Sequence, residues 1–237
     1  MTSRVLVIQH EDDDPIHLMG GWMKGLDLDV VEAWQGDALP TTLDEYAALV
    51  VMGGAMGALD DVDHPWLTPT KQLIRLAAAE QVPTLGICLG HQLAAVALGG
   101  EMARNPNGRQ FGLVPVGWSD AAADDPLFSA VYGAPRGLHW NDDIVVRLPD
   151  DGVLMATSPH GEVQAARHAE TVWGVQWHPE VDEPLVRTWC DEIEPGLAER
   201  ELASMVAAQA ELQAWWRPLG ERFAELAGVR HGDPVRG

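Results

Sequence analysis

A single cysteine stands where a predicted strand meets a predicted helix. The apolar run 82–87 is typical of a buried strand, and residues 89–98, directly after Cys88, have helical spacing. Gly86 and Gly90 flank the cysteine in the pattern glycine-x-nucleophile-x-glycine, which marks a sharp turn from strand to helix. Such a turn exposes the sulfur to the free N–H groups of the helix N-terminus, and these groups favour the thiolate. We therefore interpret Cys88 as a nucleophile rather than as a small buried hydrophobic residue.

A histidine and a glutamate after another predicted strand could complete this chemistry. The strand-like run 171–177 ends at His178, and Glu180 follows two residues later. A thiol needs a base to take its proton, and the base works best when a third group fixes its tautomer. We assign these roles to His178 and Glu180, although without Cys88 the pair would be an ordinary turn. The nine histidines lack the paired spacing of a metal site, so we predict neither a metal nor a cofactor.

Backbone donors for a developing oxyanion are available close to both predicted strand ends. The N–H of Leu89, directly after the proposed nucleophile, is one candidate. Gly53 and Gly54 follow the strand-like run 47–52 and offer N–H groups that no side chain obstructs. The two glycines could also serve only to make a turn, and the two interpretations are compatible.

The elements before residue 100 predict how these residues are positioned. Strands and helices alternate there, which implies crossover connections and a parallel sheet in an α/β fold. The strands are predicted at 4–9, 29–33, 47–52 and 82–87, and the helices at 16–25, 70–80 and 89–98. Ligands of such sheets bind at the carboxyl ends of the strands, where the glycine run 53–57 and Cys88 both lie.

The second half of the chain has a different pattern. Short strand-like runs without a long helix between them predict antiparallel strands, at 114–118, 144–147, 153–157, 163–167 and 171–177. A helix is predicted at 183–193, broken at Pro195-Gly196, and 197–227 is helical, with a kink or split expected at Pro218. Adjacent Trp215 and Trp216 point to different sides of that helix, so it could cover the domain on one side and a second surface on the other.

The composition limits the possible settings and partners. The chain has 237 residues, 46% of them hydrophobic, which suits one globular domain with an appendage. A formal net charge of -21 disfavours nucleic acid and anionic membranes as partners. No secretory signal and no apolar run of bilayer length is apparent. Together with the presence of only two cysteines, Cys88 and Cys190, these features predict a cytoplasmic protein.

Three segments in this order resemble the signatures of the class I, triad-type glutamine amidotransferases. They are Gly53-Gly54, Gly86-Ile87-Cys88-Leu89-Gly90-His91-Gln92 and Gly174-Val175-Gln176-Trp177-His178-Pro179-Glu180. The resemblance spans about residues 3 to 190 and is greatest to the glutaminase domain of GMP synthase and its stand-alone relatives. It implies a flavodoxin-like three-layer sandwich with a mostly parallel central sheet, flanking antiparallel strands and a C-terminal helical extension. The domain would comprise residues 1–193 and the extension 194–237.

The resemblance also implies a role for each matching residue. Cys88 would attack the side-chain amide of glutamine, giving a γ-glutamyl thioester and ammonia, while His178 moves the proton and Glu180 orients it. Gly54 and Leu89 would form the oxyanion hole. The implied substrate contacts are Gly53, Gln92, His139, Trp140 and Asn141.

Two departures from the family pattern leave the substrate open. Ala55 stands where the family often has proline, and Asn141-Asp142-Asp143 replaces a histidine-glycine-aspartate run of stand-alone relatives. The extra acid could favour an α-ammonium or alter the substrate. The ammonia could pass to a synthase subunit on another chain, or the enzyme could be a γ-glutamyl peptidase that hydrolyses a γ-glutamyl compound. A non-catalytic binding subunit is the third alternative, and a homodimer is a possible assembly.

Five further residues lie near the motifs or after the first strand in the sequence. We expect His91 to lie on the helix surface near the site as a packing or hydrogen-bonding residue, and Cys190 to be structural. His10, Glu11 and Asp12 follow the first strand, so we expect them near the rim of the site.

Overall fold

A computed structural model describes residues 3–190 and 195–228 of the chain. The strands are β1 (Ser3–Gln9), β2 (Leu26–Glu32), β3 (Ala48–Val51), β4 (Thr84–Ile87), β5 (Glu101–Arg104), β6 (Gln110–Pro115), β7 (Gly117–Trp118), β8 (Arg136–Asn141), β9 (Asp143–Arg147), β10 (Val153–Thr157), β11 (Val163–Ala169) and β12 (Val172–Val175). The α-helices are α1 (His17–Trp22), α2 (Leu67–Ala79), α3 (Leu89–Ala97), α4 (Glu183–Trp189) and α5 (Pro195–Gly228).

Eight strands form the central sheet, in the order β2-β1-β3-β4-β12-β11-β10-β7. The pairings from β2 through to β12 are parallel, and those from β12 to β7 are antiparallel. Two antiparallel pairs, β5 with β9 and β6 with β8, lie outside this sheet. The predicted mostly parallel sheet with flanking antiparallel strands is therefore confirmed.

The alternation of β1 side chains places apolar layers on both faces of the sheet. Val5 and Val7 join a core cluster with residues of α1 and α5, whereas Leu6 and Ile8 join another with residues of α2 and α3. Because successive side chains of a strand point to opposite faces, one buried strand serves both layers. The result is the predicted three-layer arrangement of helices on either side of a sheet.

Helix α5 runs unbroken through Pro218, so of the expected kink or split the split is wrong. A proline inside a helix costs about 3 kcal/mol through a lost hydrogen bond and a steric clash. Trp216, Leu219 and Phe223 flank it and are at most 1% exposed in the core shared with the central sheet. Burial of each such side chain contributes roughly 1.5–3 kcal/mol, so packing outweighs the proline.

Other boundaries also differ from the predicted ones. β5 was not predicted because its polar and partly exposed sequence lacks strand-like alternation. The run 114–118 is divided between β6 and β7, and β6 begins four residues earlier than expected. The predicted end of the fourth helix at residue 193 and the proposed boundary between 193 and 194 lie outside the described residues. Within the described part of the chain, no helix is both long and apolar enough to cross a bilayer.

Candidate active site

Cys88 occupies a strained turn at the carboxyl end of β4. Its φ is 49° and its ψ is -105°, and helix α3 begins at the next residue. A Cβ on Gly86 would overlap the backbone of Gly90, and one on Gly90 would overlap the carbonyl oxygen of Val51. Both glycines are therefore required by close backbone approach, as the glycine spacing predicted. Positive φ in a non-glycine residue is costly and persists where the surrounding structure enforces it.

The parallel pairing of β12 with β4 brings His178 to Cys88. Ile87 pairs with Val175, so the chain leaves both strands at the same edge of the sheet. Beyond β12, the N–H of His178 donates to the carbonyl of Leu138 at 2.8 Å, which fixes the backbone at this residue. The side chains of Cys88 and His178 line the same cavity. The sheet register thus joins two motifs that lie far apart in sequence.

Glu180 lies below His178, away from solvent. Its Oε1 is 2.7 Å from His178 Nδ1, and Glu180 is fully buried. Burial opposes the imidazolium, but the charges of Glu180, Cys88 and Asp14 outweigh burial and raise the pKa of His178 well above its usual range. The site therefore favours a protonated imidazole beside the sulfur, which is the arrangement that generates a nucleophilic thiolate.

Gln92 and Gln176 connect the sulfur to the β8–β9 turn. Gln176 Nε2 lies 3.6 Å from Cys88 Sγ, and its Oε1 accepts from Gln92 Nε2 at 3.2 Å. Gln92 Nε2 also donates to the carbonyl of Asp143 at 3.0 Å. Gln176 has no role in the sequence-based assignment, although it lies within the third motif. The available signal was its position two residues before His178, because residues two apart in an extended segment point to the same side.

The ten site residues expected from the sequence divide into two groups, according to whether they line a cavity of about 400 Å³. Those that line it are Cys88, His178, Gly54, Gln92, Trp140 and Asn141. Those that do not line it are Glu180, Gly53, Leu89 and His139.

The residues outside the cavity lining still lie against the site. His139 is fully buried, and its Nδ1 is 3.3 Å from Asn141 Oδ1. Burial lowers the pKa of His139 to about 3, so its ring is neutral. Leu89 begins the first turn of α3, and its side-chain Cδ2 would lie 3.1 Å from a Cβ on Gly54, so these two residues are neighbours.

Asp14 is a site residue that the sequence analysis missed. It lines the cavity, its side chain is 8% exposed, and its Oδ1 lies 3.9 Å from His178 Nδ1. A Cβ on Gly53 would overlap its carboxylate, so that glycine provides the space for Asp14. Burial, the largest cause, together with the charge of nearby carboxylates, raises the pKa of Asp14 to about 8 despite the opposing effect of His178. The acidic run after β1 was the signal for it.

The residues expected at the rim have different positions. Glu11 lines the cavity and its Oε1 accepts from the N–H of Ala55 at 2.9 Å, whereas Asp12 is exposed and outside the lining. His10 is buried, and its Nδ1 accepts from Trp66 Nε1 at 3.1 Å.

His91 does not lie on the helix surface, contrary to the expectation from the sequence. It is fully buried, and its Nδ1 lies 3.0 Å from His168 Nε2. The N-terminal part of α3 is covered on all sides because it packs against the sheet and its neighbouring strands, so its polar residues are buried as well. Cys190 is half-buried at the end of α4 and is not part of a disulfide.

Asp14, His178 and Glu180 have ligand atoms within 4.8 Å of one another, close enough for a metal ion to be considered. Metal–ligand distances of about 2.0–2.2 Å place two ligands of one tetrahedral zinc about 3.3 Å apart. His178 Nδ1 and Glu180 Oε1 are closer, at 2.7 Å, and are joined by a hydrogen bond. The geometry of this pair fits a shared proton better than a shared cation.

The family model described as glutamine amidotransferase class-I matches residues 24–185. The chain is 34% identical over 168 residues to one of the subunits of the glutamine-hydrolysing GMP synthase of Sulfolobus acidocaldarius, an alignment that covers 70% of this chain and 83% of that protein. It is 28% identical over 218 residues to the glutamine amidotransferase-like protein YfeJ of Salmonella typhimurium, with 90% of each chain covered.

Two crystal structures are similar along nearly the whole chain. A glutamine amidotransferase from Thermotoga maritima superimposes with a TM-score of 0.83 at 27% identity, covering 95% of this chain and 99% of that one. A glutamine amidotransferase from Methylobacillus flagellatus gives the same TM-score and identity, covering 95% and 96% of the two chains.

Proposed function

Because this chain belongs to the class I glutamine amidotransferase family, we propose that it hydrolyses a γ-glutamyl amide through a thioester on Cys88. Glutamine amide hydrolysis is the general activity of that family. The observation that carries the proposal is the contact between His178 Nδ1 and Glu180 Oε1 at 2.7 Å, with His178 and Cys88 lining the same cavity. A sulfur, a base and a buried carboxylate in this order are the groups that acyl transfer by a thiolate requires.

In the first half of the reaction the Cys88 thiolate attacks the amide carbon and forms the carbon–sulfur bond. Negative charge moves to the carbonyl oxygen, where the N–H groups of Gly54 and Leu89 stabilise it. His178 then donates its proton to the leaving nitrogen, the carbon–nitrogen bond breaks, and ammonia or an amine departs. Glu180 keeps the proton of the imidazolium on Nδ1 and fixes the orientation of the ring.

In the second half His178, now neutral, accepts a proton from water while the water attacks the thioester. The carbon–sulfur bond breaks, glutamate leaves, and the thiolate–imidazolium pair is restored. Gln176 donates toward the sulfur and Gln92 holds Gln176 in place, so these two amides support the sulfur in both halves.

We assign substrate binding to residues that line or support the cavity beside the catalytic groups. Gln92, Trp140 and Asn141 line the cavity directly. His139 acts through Asn141, with which it is in hydrogen-bonding contact, and Gly53 acts by leaving space for Asp14. These assignments predict that changes at Trp140 and Asn141 raise KM more than they lower kcat.

With glutamine as the substrate, the partner we propose is a synthase subunit that accepts the released ammonia. The support is the similarity to proteins named as subunits of glutamine-hydrolysing GMP synthases. We propose that the extension 194–237, of which α5 is the described part, closes one face of the 1–193 domain, and that the outer side of α5 serves this partner or a homodimer. Neither Cys88 nor Cys190 is part of a disulfide, which is consistent with a reducing, cytoplasmic setting.

The experiment that tests the proposed function combines turnover with chemical labelling. Release of ammonia from glutamine is measured for the wild type and for Cys88→Ala, and a diazoketone analogue of glutamine is mapped by mass spectrometry. We expect turnover in the wild type alone and labelling of Cys88 but not of Cys190. Labelling confined to Cys190, or equal turnover of the two proteins, would refute the assignment.

A further inference from the structure

Two groups of carboxylates face the cavity from different loops. The first acidic group, Glu11, Asp13 and Asp14, lies in the loop between β1 and α1, and the second comprises Asp60, Asp142 and Asp143. The charges that act on Asp14 come from the first group and from the His178–Glu180 pair, whereas those that act on Asp143 come from Arg104, Asp142 and Asp60. Different charges therefore act on Asp14 and on Asp143.

The second acidic group and its arginine neighbours have the charges that an amino-acid head requires. Arg104 Nη2 lies 3.1 Å from Asp142 Oδ1, and Arg109 Nε lies 3.8 Å from Asp142 Oδ2. The γ-glutamyl part of any substrate carries one α-ammonium and one α-carboxylate, and this end of the cavity offers both carboxylates and guanidinium groups for them. Free glutamine has no further charge.

The first acidic group lies beside His178, which has to reach the leaving nitrogen to protonate it. Asp14 Oδ1 is 3.9 Å from Nδ1 of that ring, the nitrogen that contacts Glu180. Both arginines among the described residues that line the cavity lie beside the second group. In addition, Asp14 lines the cavity, and its Oδ1 is buried without a hydrogen-bond partner, which is a costly state for a carboxyl oxygen.

Building on the proposed function, we propose that the preferred substrate is a γ-glutamyl amide whose amine part carries a second, positively charged nitrogen, as in a γ-glutamyl diamine, and that Asp13 and Asp14 bind this ammonium. The bond changes are those already described, except that the leaving group is a diamine instead of ammonia. The cavity of about 400 Å³ falls within the range of about 300–1,000 Å³ for sites of larger ligands, so it has space for an aliphatic chain beyond the amide.

The protonation of Asp14 is consistent with this substrate. A pKa raised to about 8, despite the nearby imidazolium of His178, means that the carboxyl holds a proton at neutral pH when no substrate is bound. A bound ammonium provides the positive charge that stabilises the carboxylate, so the proton is displaced when the substrate binds. Free glutamine provides no such charge at the leaving side.

The test compares substrates of matched shape and different charge. We would measure kcat/KM for glutamine, for γ-glutamyl-1,4-diaminobutane, for the γ-glutamyl amide of pentylamine, in which a methyl group replaces the ammonium, and for γ-glutamyl-4-aminobutanoate. We expect the cationic amide to exceed its neutral isostere by about tenfold or more and the anionic amide to be the poorest, since tenfold corresponds to one favourable charge contact. Equal values for the cationic and neutral amides would overturn the proposal.

A variant in the same loop separates charge from folding. Asp13→Asn keeps the backbone carbonyl that accepts from Trp189 Nε1 at 2.9 Å and removes only the charge. We expect it to reduce the preference for the cationic amide over the neutral one at least threefold, while Asp12→Asn, at an exposed position outside the cavity, leaves the ratio unchanged. A loss of activity that is equal for both substrates would mean that Asp13 has a structural role, and the proposal would be wrong.

The two proposals fail in different ways. Turnover of glutamine and labelling of Cys88 without a preference for the cationic amide would leave the proposed function in place and reject the diamine substrate. Absence of turnover of every γ-glutamyl compound, with an unlabelled Cys88, would reject both.

Discussion

Gly90 lies against the carbonyl group of Val51 so closely that a Cβ would overlap the carbonyl oxygen. Gly90 is in the first turn of α3 and Val51 ends the neighbouring strand β3. This contact sets the depth of the helix behind Cys88, because any side chain at residue 90 would push the helix away from the sheet. The position of the sulfur therefore depends on a residue that has no chemical role.

We expect Gly90→Ala to lower the free energy of unfolding by roughly 1–3 kcal/mol, the usual cost of forcing atoms into a packed interior, and to impair hydrolysis. Gly21→Ala is the matched control because a Cβ there has open space within α1, where alanine is the better helix former. Urea unfolding followed by circular dichroism measures both. Equal stability of the two variants would show that the helix adjusts without cost.

Cys88→Ala should abolish amide hydrolysis while the protein remains folded. Loss of a triad nucleophile typically costs on the order of 10⁶ in rate. Cys190→Ala is the control, because its thiol lies at the end of α4 outside the cavity lining. Both variants should retain the wild-type circular dichroism spectrum. Turnover of Cys88→Ala within tenfold of the wild type would contradict the assignment of the nucleophile.

Glu180→Gln should be less damaging than His178→Ala, because the strand exit still positions the ring whereas proton transfer has no substitute. The pH profile provides a second measurement. Glu180 raises the pKa of His178, so its loss should lower that pKa. The imidazolium is then lost at lower pH, and the alkaline limb of kcat/KM should move to lower pH. An unmoved limb would mean that Glu180 does not act through the charge of the imidazolium.

The free energy of unfolding should depend on pH because of Asp14. The folded pKa of about 8 lies above the ordinary value of 3.8, so the folded protein binds an extra proton between these values. The stabilising contribution of this proton is present below pH 3.8 and is lost as the pH rises toward 8. We therefore expect the free energy of unfolding of Asp14→Asn, relative to that of the wild type, to rise by more than about 1 kcal/mol between pH 5 and pH 8. Urea unfolding at both pH values, with Asp12→Asn as the control, measures the difference, and parallel curves would contradict it.

The two adjacent tryptophans of α5 should differ sharply in their effect on stability. Trp216 is 1% exposed, and its ring centroid lies 4.9 Å from that of Trp177, whereas Trp215 is 39% exposed. Trp216→Ala should cost about 3–5 kcal/mol because it leaves a cavity in the core. Trp215→Ala should change the free energy of unfolding of the monomer by no more than about 0.5 kcal/mol. If α5 also binds a partner or a second copy, Trp215→Ala should weaken that association in analytical ultracentrifugation.

Local chemistry in the sequence indicated the candidate residues of the site because it depends on short-range geometry. Glycines at fixed spacing around Cys88, and a carboxylate two residues after His178, specify a turn and a contact that neighbouring residues can form by themselves. The period of the apolar residues likewise indicated the alternating strands and helices, because each must bury one face. These features follow from the chain without knowledge of the rest of the fold.

Tertiary structure alone decided which distant residues meet. The register of β12 on β4 places Gln176 beside the sulfur, and the loop after β1 places Asp14 beside His178, although neither neighbour is close in sequence. The burial of His91 follows from the strands that cover α3. The unbroken course of α5 through Pro218 has the same origin, since packing energies from many distant residues outweigh a local preference. No local sequence pattern reports the summed packing energies of distant residues. The sequence therefore determined the candidate catalytic groups, and the fold decided their surroundings.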